Sequence, residues 1–214
     1  MTRAREVGAA LALVALLASA GCLGFLTGSK PLDVSANATE VSDSALQETG
    51  YRLADSGSPN STLNVSVAGQ NRTIEASSEI RQYNRTVSLG PVEGDFARFS
   101  VYTTPTVSIA GQTINPLADL SNERLVRRFV ASTSGLSDVR FESNRTVRSL
   151  GAERNVSVYG ATQTMEGVEA NVTIDVATFE HDGDFVVAIA VHPERIDERP
   201  RVNALFEGLR HPAD

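Results

Sequence analysis

Ala170-Asn-Val-Thr-Ile-Asp-Val-Ala-Thr-Phe179, then His181-Asp182-Gly183, then Asp184-Phe-Val-Val-Ala-Ile-Ala-Val191, is the stretch that decides the fold. Both flanking runs are rich in Val, Ile, Thr and Phe, the residue types that fit a pleated sheet. Asp-Gly between them supplies the two positive-φ positions of a tight hairpin turn. Phe185 to Val191 is apolar at every position, which predicts a central strand buried on both faces. An antiparallel sheet built around this hairpin is therefore the starting point.

Towards the C-terminus, Glu198 to Leu209 reads as a helix. Pro200 sits in its first turn, and Val202, Leu205, Phe206 and Leu209 form one apolar stripe. Upstream, Asp138 to Phe141, Arg145 to Leu150 and Asn155 to Tyr159 read as strands. Ser121 to Ser132 is a second helix, with Ser121 as its cap and Leu125, Val126, Phe129 and Val130 as its stripe. Arg124, Arg127 and Arg128 lie off that stripe, either as a partner patch or, more ordinarily, as a solvated face. Val107 to Ile114 reads as a hairpin about Ala110-Gly-Gln112, and Phe96 to Tyr102 as a strand ended by Pro105. Leu63, Val65 and Val67 alternate with Asn64 and Ser66 ahead of a turn at Ala68-Gly-Gln70. Thr73 to Ile80 and Tyr83 to Leu89 continue the period of two, broken at Gly90-Pro91. Asp55 to Ser61 reads as a loop. Val41 to Gly50 reads as a short helix with Ser42 as N-cap and Gly50 in the left-handed C′ position. These elements predict an α+β domain: a mostly antiparallel β-sheet with two longer helices, about 121–132 and 198–209, and one short N-terminal helix packed on it.

The first 26 residues have a different grammar. Arg3 and Arg5 precede an uncharged apolar run, Val7 to Ala20, and Ser19-Ala20-Gly21 places small residues directly before Cys22, the one cysteine of the 214-residue chain. A signal peptidase requires small side chains at its cut, and a lipoprotein requires a thiol to carry the lipid. The expected organisation is a signal peptide over 1–21, a lipidated Cys22 with a short tether to residue 33, and a single extracellular domain over 34–214. The alternative is an uncleaved signal anchor over Val7 to Leu26, whose 20 uncharged residues are enough to span a bilayer. Both put the domain outside, because the arginines stay inside. A single cysteine also excludes an intramolecular disulfide.

Removing the leader's two arginines and one glutamate leaves 17 basic and 25 acidic residues, a net charge of −8. That balance speaks against nucleic acid as a partner. Lys30 is the one lysine among 19 basic residues, a bias that, with the acidity, fits a halophile. Eight of the eleven asparagines stand in Asn-x-Ser/Thr: Asn37, Asn60, Asn64, Asn71, Asn84, Asn144, Asn155 and Asn171. Chance would give about two at this Ser and Thr content, so either surface glycosylation or strand amphipathicity is at work. Both readings place these asparagines on the wet face.

Chemistry is sparsely signed. His181, Asp182 and Asp184 carry metal-ligating atoms and are the candidates for a hard or borderline metal, but the pattern is also that of a polar hairpin tip. There is no paired-histidine spacing, no Gly-x-Ser-x-Gly elbow and no phosphate loop, so no catalytic residue and no cofactor is expected. The functional expectation is a non-enzymatic binding or accessory domain, anchored to membrane lipid through Cys22 beside a membrane or surface protein partner. A carrier of a small apolar ligand is the alternative, and a surface hydrolase near His181 or His192 the more distant one.

Gly21-Cys-Leu-Gly-Phe-Leu-Thr-Gly28, Ala110-Gly-Gln-Thr-Ile-Asn-Pro116 with the following Ser121-Asn-Glu123, Glu180-His-Asp-Gly-Asp-Phe-Val-Val187 and Glu207-Gly-Leu-Arg-His-Pro212 resemble a haloarchaeal surface lipoprotein family, a domain of unknown function. The late hairpin followed by a C-terminal helix is similar to the Mog1/PsbP-like sandwich. That resemblance implies an architecture shared by small surface lipoproteins and accessory subunits, and function drawn from it is analogy at the level of fold.

Overall fold

The structure, a computed structural model, describes residues 30–67, 70–109, 112–115, 117, 120–130, 135–165 and 168–213. Cys22 and the leader lie outside the described residues, as do the turn residues Ala68, Gly69, Ala110 and Gly111. Among the described residues, fourteen strands and three helices follow one another: β1 (Leu32–Ser35), β2 (Glu40–Val41), α1 (Asp43–Thr49), β3 (Arg52–Gly57), β4 (Asn60–Val67), β5 (Gln70–Ser77), β6 (Glu79–Leu89), β7 (Val92–Pro105), β8 (Val107–Ile109), β9 (Gln112–Ile114), α2 (Asn122–Val130), β10 (Leu136–Ser149), β11 (Ala152–Met165), β12 (Val168–His181), β13 (Asp184–Pro193), α3 (Arg199–Glu207) and β14 (Leu209–Arg210). The described residues divide into two compact units.

The smaller unit takes in residues up to Val34 and Asn60–Ala76. Its sheet has the order β1-β5-β4. Leu63 and Val65 are half-buried while Asn64 and Ser66 are exposed, the alternation expected of a strand with one wet face. Thr73 Oγ1 donates to Asn64 Oδ1 at 3.2 Å, so the hydroxyl of one sequon serves the carboxamide of another.

The larger unit, Ser35–Pro59 and Ser77–Asp214, holds a seven-stranded sheet of order β10-β11-β12-β13-β7-β6-β3. All six pairings in it are antiparallel. β13 lies in the middle, and all but one of its ten residues are buried, as its apolar run predicts. Asp182 (φ 47°) and Gly183 (φ 85°) form the turn into it, the two positive-φ positions of a type I′ hairpin.

Successive strand side chains point to opposite faces, and two neighbours on β10 show where the helices lie. Arg145 reaches Asn203 on α3. Asn144 accepts from Ser157 Oγ, which accepts from Asn122 on α2. The two helices therefore flank opposite faces of the sheet. Under α3, Tyr83, Phe99 and Phe206 stack, with the Phe99 and Phe206 rings edge-on at 5.2 Å. Under α2, Leu125 and Val126 are buried, and the side chains of Phe129 and Val130 lie outside the described residues. α1 packs on α3, where a Cβ on Gly208 would meet Ala45 Cβ at 2.4 Å.

Several boundaries differ from the sequence reading. α3 spans Arg199–Glu207, shorter at both ends than 198–209, and α2 is described over Asn122–Val130, with residues 131 and 132 of the expected 121–132 outside the described residues. Leu209 keeps its buried place but belongs to β14, paired with β2. The expected loop at Asp55 to Ser61 holds the end of β3 and the start of β4. All six β3 residues are exposed, so no apolar alternation marked that edge strand. The strands read at 138–141 and 145–150 are one, β10.

Candidate functional site

Among the described residues, the buried ionisable side chains of the larger unit gather in three interior clusters. The first lies at the decisive hairpin. Asp184, at the start of β13, is buried and accepts from the Asn37 backbone N–H at 2.8 Å. His211 brings Nε2 to 3.3 Å from Asp184 Oδ2, and its ring is wholly buried. Its Nδ1 shares a hydrogen bond of 2.8 Å with Thr39 Oγ1, which in turn accepts from Thr103 Oγ1. Burial raises the pKa of Asp184, against the opposing pull of the Asn37 N–H and His211. His181 stands edge-on to His211, ring centroids 5.6 Å apart, while Asp182 points out at the hairpin tip.

The carboxylate, imidazole and hydroxyl of this first cluster follow the order of a nucleophilic triad. Thr39 is nevertheless 1% exposed and the His211 ring 0%, so no substrate reaches the hydroxyl. The cluster instead joins four parts of the chain: the 37–39 segment, β7, the β12–β13 hairpin and the C-terminal segment. Next to it Ala213 N donates to Ala38 O, extending the β2–β14 pairing.

The second cluster lies between the sheet and α3. Asp175 on β12 accepts from Arg145 Nε at 2.9 Å, and His192 Nε2 is 3.5 Å away. Arg145 also bonds Asn203 and lies over the Phe206 ring. Burial alone would raise the Asp175 carboxyl, but His192 and Arg145 outweigh it and hold the pKa below the usual carboxylate range. The third cluster is Glu198, completely buried at the N-terminus of α3. Arg85 on β6 grips both its oxygens, Tyr51 donates its hydroxyl at 3.3 Å, and Arg201 comes within 3.7 Å. Burial, with the Glu198 charge beside it, pushes the Tyr51 phenol far up.

The structure thus separates the three metal candidates. Asp184 is turned inward, Asp182 is exposed, and His181 lies 3.7 Å from Asp182 and beside His211. Among the described residues no group of three or more His, Cys, Asp or Glu is placed to hold a metal ion. The buried carboxylates Asp175 and Glu198, and the buried His211 ring, were not singled out from the sequence as site residues. Asp175 had one signal, an acid inside a strand whose neighbours on both faces are apolar.

The surface carries the other features. Seven of the sequon asparagines, Asn37, Asn60, Asn64, Asn71, Asn144, Asn155 and Asn171, are exposed, and Asn84 is half-buried beside Asp95. A cleft of 510 Å³ is lined by Leu89, Ala170, Asn171, Pro193 and the charged Glu169, Glu194 and Arg195. A second, of 370 Å³, lies where α1 meets α3, with Ser44, Glu48, Glu207 and Arg210 on its walls. Neither contains a histidine. Phe141, on the edge strand β10, is 57% exposed and rests edge-on against Tyr159.

Residues 38–210 match the family model described as "Domain of unknown function (DUF6517)". This chain belongs to the DUF6517 family. The match takes in all three clusters except Asn37 and His211, which flank it directly. No curated protein matches the chain. Among solved structures, the DUF6517 chain is similar to a Pseudomonas aeruginosa protein of unknown function, PA94, at 11% identity over 63% of this chain and 84% of that one. The TM-score of 0.29 carries no argument about fold or function. No described helix of the DUF6517 chain is long and apolar enough to cross a membrane.

Proposed function

We propose that this protein is a lipoprotein, exported by its leader and held on the outer face of the membrane through Cys22, whose folded part serves as a binding or accessory domain rather than an enzyme. The leader supports the address: Arg3 and Arg5, the apolar Val7 to Ala20, and small residues before a lone cysteine. The acidic balance and the near absence of lysine support a haloarchaeal source. Helices on both faces of one antiparallel sheet support reading the architecture as a Mog1/PsbP-like sandwich.

Phe141 is the observation that carries the binding role. A large aromatic more than half exposed on the outermost strand of a sheet is an anchor for a partner. The β10 register is broken between Ser137 and Arg140 and again between Phe141 and Ser143. Such bulges spoil an edge as a template for backbone pairing. Recognition there falls to the aromatic side chain, while Arg140 and Glu142 pair over Gly160 on the other face of the strand. Tethering next to a membrane or surface protein raises the local concentration, so one anchor of modest affinity is enough.

Native mass spectrometry of the protein, gently extracted from its own membranes in high salt, tests both parts. The expected spectrum shows lipid on Cys22 and a stoichiometric protein partner. Phe141→Glu removes the partner while keeping the lipid and the fold, since an exposed substitution shifts stability by only about 0.5 kcal/mol. A bare lipidated monomer would overturn the binding role. A Cys22→Ser chain that stays on the membrane would overturn the lipid anchor.

A further inference from the structure

The eight sequons are not equivalent in the folded chain. Asn144 and Asn155 face one another's hydroxyl residues across the β10–β11 ladder, with Asn144 opposite Ser157 and Thr146 opposite Asn155. Ser157 Oγ donates to Asn144 Oδ1 at 3.1 Å, and Thr73 Oγ1 serves Asn64 in the same way. Asn and Ser/Thr two residues apart lie on one face of a strand, so two such triplets in antiparallel register form reciprocal cross-strand pairs. Asn37 is drawn to Asp184, and Asn84 to Asp95. Much of the sequon surplus is thus explained by pairing within sheets.

Asn171 is different. It is exposed, its carboxamide has no hydrogen-bond partner among the described residues, and it lines the 510 Å³ cleft. The size lies within the range of about 300–1,000 Å³ that holds small ligands. Leu89, Ala170 and Pro193 give the cleft an apolar floor, and Glu169, Glu194 and Arg195 give it charged acceptors and donors. That combination suits a sugar, whose C–H faces pack on apolar surface while its hydroxyls need hydrogen-bond partners. We propose that Asn171 is a glycosylated residue and that the first sugars of its glycan seat in this cleft, covering the joint between β12 and β13.

The inference rests on the export reading, which brings the chain to a glycosylating compartment. The step is a group transfer from a lipid-linked saccharide phosphate, catalysed by a separate transferase. The Asn171 Nδ2–anomeric carbon bond forms and the anomeric C–O bond to phosphate breaks. The phosphate leaves with the bonding pair, and the Nδ2 proton passes to a base of the transferase. Nothing is oxidised or reduced.

Peptide mapping by mass spectrometry of the full chain from its own membranes is the test, reading the Cys22 and Asn171 peptides together. The expected result is lipid on the first and a saccharide mass on the second. Asn171→Gln and Thr173→Val abolish that mass, whereas Thr173→Ser, which keeps the sequon, retains it. Loss of the seated glycan lowers Tm by about 2–4 °C and speeds hydrogen exchange in 169–171 and 193–195. A lipidated chain with a bare Asn171 overturns this proposal and leaves the export reading standing. An unlipidated chain with its leader intact and Asn171 bare overturns both. A glycan that changes neither Tm nor exchange overturns the seating in the cleft.

Discussion

Glu198→Gln is the substitution that most directly tests how α3 is held to the sheet. Glu198 is completely buried, and its two oxygens are shared by Arg85, Tyr51 and Arg201. Glutamine keeps the shape and one acceptor oxygen but leaves the Arg85 guanidinium, itself only 19% exposed, without its counter-charge. Breaking a buried pair from one side costs about 3–5 kcal/mol. For a domain of this size, each kcal/mol moves Tm by about 2–4 °C, so a fall of about 6–20 °C is expected. Tyr51→Phe removes a hydrogen bond to a charged group and costs about 1.5–3 kcal/mol. Replacing both partners, as Arg85→Met with Glu198→Met, recovers most of the loss, because the desolvation of both charges is relieved. Urea unfolding followed by circular dichroism, across the double-mutant cycle, measures the coupling. Losses of under about 1 kcal/mol for Glu198→Gln, or additive effects in the cycle, would refute the reasoning.

Other outcomes follow from the same geometry. The Asp175 pKa is depressed in the fold, so its stabilisation is fully present above the unfolded carboxylate value of about 3.9 and is lost as pH falls through the lower folded value. Asp184 is raised, so its contribution has the opposite sign and is lost as pH rises through its folded value. Stability measured against pH in Asp175→Asn should have a flatter acid limb, and in Asp184→Asn a steeper one. Gly208→Ala should cost about 1–3 kcal/mol, because the new methyl meets Ala45 Cβ at 2.4 Å and the Ala204 carbonyl at 3.0 Å. Gly160→Ala meets only the tips of Glu142 and Arg140, which can swing into solvent, so thermal melts should place it within about 1 kcal/mol of the parent.

What was legible in the sequence was whatever rests on local chemistry. Asp182-Gly183 specified its turn, the unbroken apolar run of β13 its central place, and Ser42 and Gly50 both ends of α1. Ser42 Oγ accepts from Ala45 N, and Gly50 takes φ 74°. β3 was missed because an edge strand exposed on every residue has no hydrophobic period to read. Between the strands read at 145–150 and 155–159 the turn is tighter than that spacing implied, because Leu150 takes φ 46°, a conformation its side chain disfavours, beside Gly151 at φ 76°. The clusters were illegible for a different reason. Glu198 and Arg85, or His211 and Thr39, are far apart in the chain, and no spacing rule connects them. His181, Asp182 and Asp184 adjoin in the chain, but the turn at Asp182-Gly183 leaves Asp182 exposed, whereas Asp184, the first residue of β13, is buried against Asn37 and His211.

The seam that ties Ala38 and Thr39 to His211 and Ala213 sets the timing of folding. β13, the middle strand, pairs on one side with its hairpin partner β12 and on the other with β7, far earlier in the chain, while β2 waits for β14. A polypeptide that emerges N-terminus first therefore cannot close this core until residue 213 has emerged. The β3-β6-β7 strands can pair as they appear, whereas the β2–β14 seam and the buried His211 ring are the last parts of the domain to be put in place.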